Sequence, residues 1–376
     1  MYQHRNTDLQ DKPVDSFISS IDEKFPNQQS VNGEVQHLFR SRPVNFTSGI
    51  GYFNINQKRE RTIEFGPAFG FPAQQDTTNE NVEHVNLYIY SYINLLKDVT
   101  FTLGGSGDFF DTNSATTNSR DQFNPKFGVT WNPFTNTTIR AAAFRALKRT
   151  LITDQTLEPT QVAGFNQFYD DINATDSWRF GGAVDQKFLS TLFGGIEFSK
   201  RDVNIPFEST DTTGVSQVKR GDGEEYLGRI YLLLTPHPWI AFNTEYQYEQ
   251  FKNNEVLVGD SAVAYKELAT DRFSLGLNLI HPSGFSASLK GTYFDQNGDF
   301  IRRGLACCEH GEDDFWVADA AVSYRLPKRY GFIKIGASNL FDQKFDYFDT
   351  NRGSANRNPL VIPDRVFFGS ITLAFP

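Results

Sequence analysis

The chain has 376 residues, a net charge of −9 and a hydrophobic content of 39%. An acidic balance leaves no basic stripe to neutralise phosphates, which argues against a nucleic-acid partner. No run approaches the roughly 18 apolar residues of a membrane helix, so a hydropathy plot built to find such helices passes over the chain. The rest of the composition leans all-β: aromatics make up 15%, with 36 Phe and 15 Tyr against one Met and two Cys. Aromatic and Thr-rich segments with few helix formers suit strands whose two faces meet different solvents.

Residues 1–20 lack a basic segment followed by an apolar core, so they are not a signal peptide. An exported barrel needs one; the expectation is that it was removed or that the chain starts inside a longer protein. Residues 1–33 read as an N-terminal extension or external loop, and 34–376 as the barrel.

Fifteen strands are predicted, at 34–41, 44–56, 84–94, 98–111, 124–132, 137–147, 176–188, 191–206, 224–235, 238–251, 270–280, 284–297, 314–326, 330–340 and 365–375. Period-2 alternation supports them. Trp316, Ala318, Ala320, Val322 and Tyr324 oppose Val317, Asp319, Ala321, Ser323 and Arg325. Phe367, Gly369, Ile371, Leu373 and Phe375 oppose Val366, Phe368, Ser370, Thr372 and Ala374. Most exceed the roughly 9–11 residues with which a tilted strand crosses a bilayer.

The connections alternate in length. Short ones hold turn residues, such as Ser41-Arg42-Pro43, Pro236-His237, Pro282-Ser283 and Pro327-Lys328-Arg329. Between them lie long polar stretches at 57–83, 148–175, 207–223, 252–269, 298–313 and 341–364. Short turns on one side and long loops on the other are the pattern of outer-membrane barrels. Fifteen is an odd number, so a sixteenth strand is expected near Val14–Ile21, or else earlier strands are missing; the second is favoured.

Several segments resemble TonB-dependent receptors, the ligand-gated transporters of Gram-negative outer membranes. Gly336-Ala337-Ser338-Asn339-Leu340-Phe341-Asp342 resembles their penultimate-strand motif, and Pro363-Asp364-Arg365 with the final alternating strand resembles their closing strand. Residues 123–133, the hairpin 138–145 and Leu157-Glu158-Pro159 are similar to mid-barrel elements, so the resemblance covers about 120–376. It implies a cell outer-membrane location in a Gram-negative bacterium, no cofactor, and uptake of a solute. Complete members have 22 strands, an N-terminal plug and a box that binds TonB. Coupling to the TonB system would therefore need a missing N-terminal region. A porin-like or exopolysaccharide-export barrel is the alternative. A membrane-embedded hydrolase, which would need an inward Ser, His and acid, and a soluble β-rich adhesin are further readings.

The residues of the closing strand are the candidate assembly signal. A terminal aromatic preceded by alternating apolar residues, here Phe375 after Phe367, Ile371 and Leu373, resembles what the barrel-assembly machinery reads; a free edge pairs readily with another strand. Cys307, Cys308 and His310, with Asp313 and Asp314, place soft and hard metal ligands in one external loop. Their spacing matches no standard zinc motif, and a vicinal disulfide or free thiols is the leading reading. Gly104-Gly105-Ser106-Gly107-Asp108 lacks the ending of a phosphate loop and reads as relief of crowding.

Charges inside strands should face a lumen, because charge facing lipid at mid-membrane costs about 2–4 kcal/mol. These are Arg140, Arg145, Lys187, Glu197, Arg201, Arg229, Glu245, Lys290, Asp319 and Arg325. Tyr88, Tyr90, Tyr92, Trp131, Phe134, Trp239, Tyr330 and Phe332 are expected in interfacial girdles facing outer-membrane lipid.

Overall fold

The computed structural model describes residues 2–11, 18–66, 70–113, 118–149, 156–167, 171–210, 216–254, 265–300, 308–348, 355–356 and 364–374. Alternation has folded into strand almost throughout. No helix among the described residues is long and apolar enough to cross a membrane.

The chain opens with β1 (Tyr2–Asp11), β2 (Ile18–Arg40), β3 (Val44–Phe65), β4 (Gln74–Leu96), β5 (Val99–Thr112), β6 (Arg120–Phe134) and β7 (Thr137–Leu147). A small hairpin follows, β8 (Gln161–Val162) paired with β9 (Phe165–Asn166). Next come β10 (Asp176–Leu189), β11 (Leu192–Thr210), β12 (Ser216–His237), β13 (Ile240–Asn253), β14 (Tyr265–Ile280) and β15 (Phe285–Phe300). Then follow β16 (Glu309–Arg325), β17 (Gly331–Ser338), the small pair β18 (Tyr347–Phe348) and β19 (Ala355–Asn356), and β20 (Val366–Leu373). Apart from the two small pairs, the strands form one 16-stranded antiparallel sheet whose order follows the chain. Two compact units divide it: one holds residues 1–129, 142–179 and 203–221, the other 130–141, 180–202 and 222–376.

The short connections lie at or beside the expected turns. The long stretches differ from expectation, because strand continues deep into them: β3 runs to Phe65 and β4 begins at Gln74, with Gln57 opposite Glu80 and Arg61 opposite Asp76. These extensions are polar on both faces. Backbone pairing holds them together with side-chain hydrogen bonds such as Gln57 Nε2 to Glu80 Oε2 at 2.7 Å, so little alternation marks them in the sequence. The N-terminal reading is corrected for the same reason. The sixteenth strand is β1, which lies before the expected position near Val14–Ile21, and it pairs with β2 from Tyr2 opposite Val31 to Asp11 opposite Ile21. Residues 2–11 and 18–33 are thus strand, not a loop, while Val14 lies outside the described residues.

The two faces of the sheet invert the rule for water-soluble proteins. On β4, His84 and Asn86 are buried while Leu87 and Ile89 are 44% and 52% exposed. On β5, Thr102, Ser106 and Asp108 are buried, and Phe101, Leu103 and Phe109 are exposed. In the second unit Ile335, Phe367, Ile371 and Leu373 all stand exposed on one face. Register makes this face continuous: Phe285 lies opposite Tyr324, Tyr324 opposite Ile333, and Ile333 opposite Ile371. A contiguous apolar surface of this extent fits lipid, not water. Trp131, Phe134, Trp239 and Tyr330 are exposed, as girdle residues must be; Phe332 is exposed too, but it pairs with Arg325 and Thr372 and lies on the face of Ser323 and Lys334, not on the apolar one. Tyr88 and Tyr90 are not: they share the buried face with His84 and Asn86 and are only 4% and 0% exposed.

The corner after β17 shows why its motif has the residues it has. Asn339 and Asp342 both adopt positive φ, 48° and 56°, a conformation that Asn and Asp tolerate better than most residues. Asn339 Nδ2 donates to Gln343 O at 2.9 Å, and its Oδ1 accepts the Gln343 N–H at 2.8 Å. Asp342 accepts the Arg365 backbone N–H at 3.3 Å, which ties the corner to the start of β20. That hydrogen bond, helped by Lys344 and Arg365, holds the Asp342 carboxyl below the usual carboxylate range.

Two outcomes follow. Ile335→Arg should destabilise the folded chain in detergent or lipid by about 2–4 kcal/mol, whereas Ser323→Arg, on the covered face, should cost about 1 kcal/mol or less; urea titration of the folded band checks both. A lowered folded-state value means that Asp342 stabilises the corner above the ordinary carboxylate range near pH 4, and that this is lost as pH falls through the lowered value. The stability difference between wild type and Asp342→Asn should therefore shrink on acidification, as measured by the same titration repeated at several pH values.

Candidate functional site

In the first unit, alternate positions of β4, β5 and β6 bring polar side chains together on the covered face. Asp108 is the hub. It accepts from His84 Nε2 at 2.9 Å, Asn86 Nδ2 at 2.9 Å, Asn124 Nδ2 at 2.5 Å and Ser106 Oγ at 3.3 Å. Gln122 extends the network, donating to Asn124 Oδ1 at 2.6 Å and to Asp176 Oδ1 at 3.0 Å. Gly104 stands in the same region because a Cβ there would come within 2.7 Å of the Ile89 carbonyl. A Ser, a His and an acid do meet here. Ser106 donates to the acid, however, and not to the imidazole, so no nucleophile–base contact exists.

The segment after β7 packs onto this face. Glu158, only 3% exposed, bonds Tyr90 Oη at 2.6 Å and pairs with Arg149 Nη2 at 2.9 Å. Glu34 on β2 accepts the Thr156 hydroxyl and the Leu157 N–H, each at 2.7 Å. Gln36 donates to the Leu157 carbonyl. Gln167 bonds Tyr90 Oη at 2.9 Å and the Pro159 carbonyl at 2.6 Å. The β8–β9 hairpin buries Val162 and Phe165 completely or nearly so, at 0% and 1% exposure. It lies against Gly128, where a Cβ would sit 2.9 Å from Ala163 Cβ. The arrangement is a clasp that holds residues 156–167 against the strands.

Most of the expected strand charges also find partners. Arg140 pairs with Asp185 at 2.7 Å and Glu197 at 3.4 Å, and Arg229 with Glu245 at 2.6 Å. Arg201 pairs with Glu225 at 3.0 Å, while Arg145 and Arg120 share Asp176 at 2.7 and 2.6 Å. Lys187 lies 5.5 Å over the Phe193 ring, and Arg325 is exposed at the end of β16.

The other candidates are dispersed. His310 sits 3.2 Å from Asp299 and 3.7 Å from Glu312, Cys308 is half-buried, and Cys307 lies outside the described residues. Among the described residues no three His, Cys, Asp or Glu side chains come together as a metal site. Phe367, Ile371 and Leu373 share the exposed face of β20; Phe375 lies outside the described residues. Sequence reasoning missed His84, Asp108 and Arg149, although polar residues at alternate positions of β4–β6 were a signal for the first two.

Sixteen antiparallel strands in chain order, with an apolar exposed face and a polar covered one, have the fold of outer-membrane β-barrels. Solved structures of outer-membrane transporters share it. The transporter YddB from Escherichia coli aligns with 95% of this chain and 55% of its own, at a TM-score of 0.58 and 12% identity. The ferripyoverdine receptor of Pseudomonas aeruginosa aligns with 98% and 52%, at 0.63 and 10%. The FrpB iron transporter from Neisseria meningitidis aligns with 98% and 62%, at 0.59 and 12%. The chain spans about half the length of the first two. The resemblance to TonB-dependent receptors therefore holds at the level of fold and reaches beyond residues 120–376 to nearly the whole chain. No family model matches the chain and no curated protein matches it.

The clasp yields a prediction. Glu158→Gln breaks the buried ion pair with Arg149 and should cost about 3–5 kcal/mol. The hairpin should loosen, with faster hydrogen exchange at the Gln167 amide, which bonds the Thr160 carbonyl at 3.0 Å. Gly128→Leu attacks the same packing from the strand side and should give the same exchange pattern.

Proposed function

We propose that this chain is the membrane-crossing part of an outer-membrane solute transporter of the TonB-dependent receptor type. The observation that carries the reading is the inversion of the faces: polar side chains on the covered side, large apolar ones on the exposed side. A wall of this kind faces lipid outward and lines a hydrophilic route inward. The fold likeness and the Asn339–Asp342 corner support the receptor type. Energised uptake would require a plug and a TonB-binding box supplied by residues outside 1–376. The clasped segment 156–167 favours a second reading, a porin-like or export barrel narrowed by its own polypeptide. Both readings use the exposed face of β20, with Phe367, Ile371 and Leu373, as the surface that meets lipid and that an assembly factor would read.

The test is gel mobility with and without boiling for the chain refolded in detergent, paired with far-ultraviolet circular dichroism and then liposome flux. The expected result is a compact, β-rich form whose mobility shifts on boiling. A β-rich monomer that needs no detergent would sink the membrane reading.

A further inference from the structure

In the second unit the face opposite to that of Ile333 and Ile335 carries a hollow of about 280 Å³ that borders Lys290, Asp319, Lys334 and Phe368. Register explains why it is hollow. One row across the strands reads Asn243, Gly276, Lys290 and Asp319; the next reads Asn278, Ser288, Ala321 and Gly336. Four neighbouring strands thus present an amide and three small side chains side by side. Lys290 rises on one flank, and on the other Lys334 lies opposite Ser323, next to the pair formed by Gly336 and Phe368.

The charges around this hollow differ from those elsewhere on the same unit. Arg140, Arg201 and Arg229 each hold a carboxylate within 3.0 Å. Lys290 faces Asp319 directly across the β15–β16 register. Asp319 nevertheless turns its carboxylate to the Asn339 backbone N–H, 3.0 Å away. Lys334 Nζ lies 5.4 Å over the Phe368 ring, a contact that attracts the ammonium without cancelling its charge. Two ammonium groups therefore flank a hollow of mixed polar and apolar lining that has a single carboxylate, already engaged with the corner after β17. Ser288 and Asn278 add hydroxyl and amide donors.

We propose that this hollow binds the oxyanion group, carboxylate or phosphate, of a small hydrophilic solute, with Lys290 and Lys334 as its counter-charges. The assignment rests on the transport reading, since only a solute inside the barrel reaches this face. An ammonium acts as a hydrated point charge, so the site recognises charge and size more than a fixed bidentate geometry. A neutral sugar could use the amide and hydroxyl groups, but it would leave both lysines without a role.

The experiment is titration calorimetry of the full chain, folded in detergent at low salt, with citrate, inorganic phosphate and glucose as probes. At least one oxyanion should bind with millimolar affinity, weakening with added salt, and glucose should not. Citrate alone would mark a carboxylate solute, and phosphate alone a phosphorylated one. The double variant Lys290→Gln/Lys334→Gln should bind at least tenfold more weakly while keeping its heat-modifiable band. Asp319→Asn should bind several-fold more tightly. Equal binding of glucose, unchanged affinity in the double variant, or a folded barrel that takes neither anion would overturn the site alone. A chain that stays soluble without detergent would overturn the transport reading, and the site with it.

Discussion

In hydrocarbon there is no water to take a backbone hydrogen bond, so every N–H and C=O in a spanning segment needs a partner inside the protein. In the sixteen-stranded sheet the strands from β2 to β17 each meet this demand with a neighbour on either side, in an order that follows the chain. Everything else about the chain depends on that pairing. It lets the side chains divide by face: Leu87, Ile89, Phe101 and Leu103 toward an apolar medium, His84, Asn86, Ser106 and Asp108 away from it. It also lets the polar extensions of β3 and β4 persist well past any bilayer thickness, since the ladder there needs no hydrophobic face.

The covered face is costly to build in a different way. A buried acid such as Asp108 is tolerable because four donors surround it, and Glu158 is tolerable because Arg149 and Tyr90 meet both its oxygens. Networks of this kind contribute more to specificity than to net stability, since a buried ion pair recovers little beyond its own desolvation. What they specify here is position. Glu34, Gln36 and Tyr90 come from two strands, yet all three hold the segment 156–167 in one place. A segment so tied is part of the chemistry of the covered face. The second unit is arranged differently: its charges mostly cancel in pairs, and the cancellation fails where Asp319 is drawn to the Asn339 corner.

Much of this was legible in the residues. Alternation placed the strands from β3 onward, turn residues such as Ser41-Arg42-Pro43 and Pro327-Lys328-Arg329 placed the short connections, and charge placement anticipated the inward face for Arg140, Glu197, Arg229 and Glu245. β1 and the outer halves of β2 to β4 were illegible, because a strand that is polar on both faces carries no period. Tyr88 and Tyr90 were misplaced because an aromatic reads as a membrane anchor until its face is known. The clasp was only half visible: Leu157-Glu158-Pro159 stood out as a motif, but nothing local marked Arg149 or Tyr90 as its partners.

The sequence by itself determined an all-β chain of alternating strands, a barrel type and the side from which the short turns hang, because those properties follow from period, turn chemistry and local motifs. Only the tertiary structure decided that residues 2–11 join the sheet, that residues 156–167 lie clasped against it, and that Lys290 and Lys334 share one hollow. Each of these depends on which side chains meet across strands far apart in the chain. Alternation says that a residue faces one way or the other, and register alone says what it finds there.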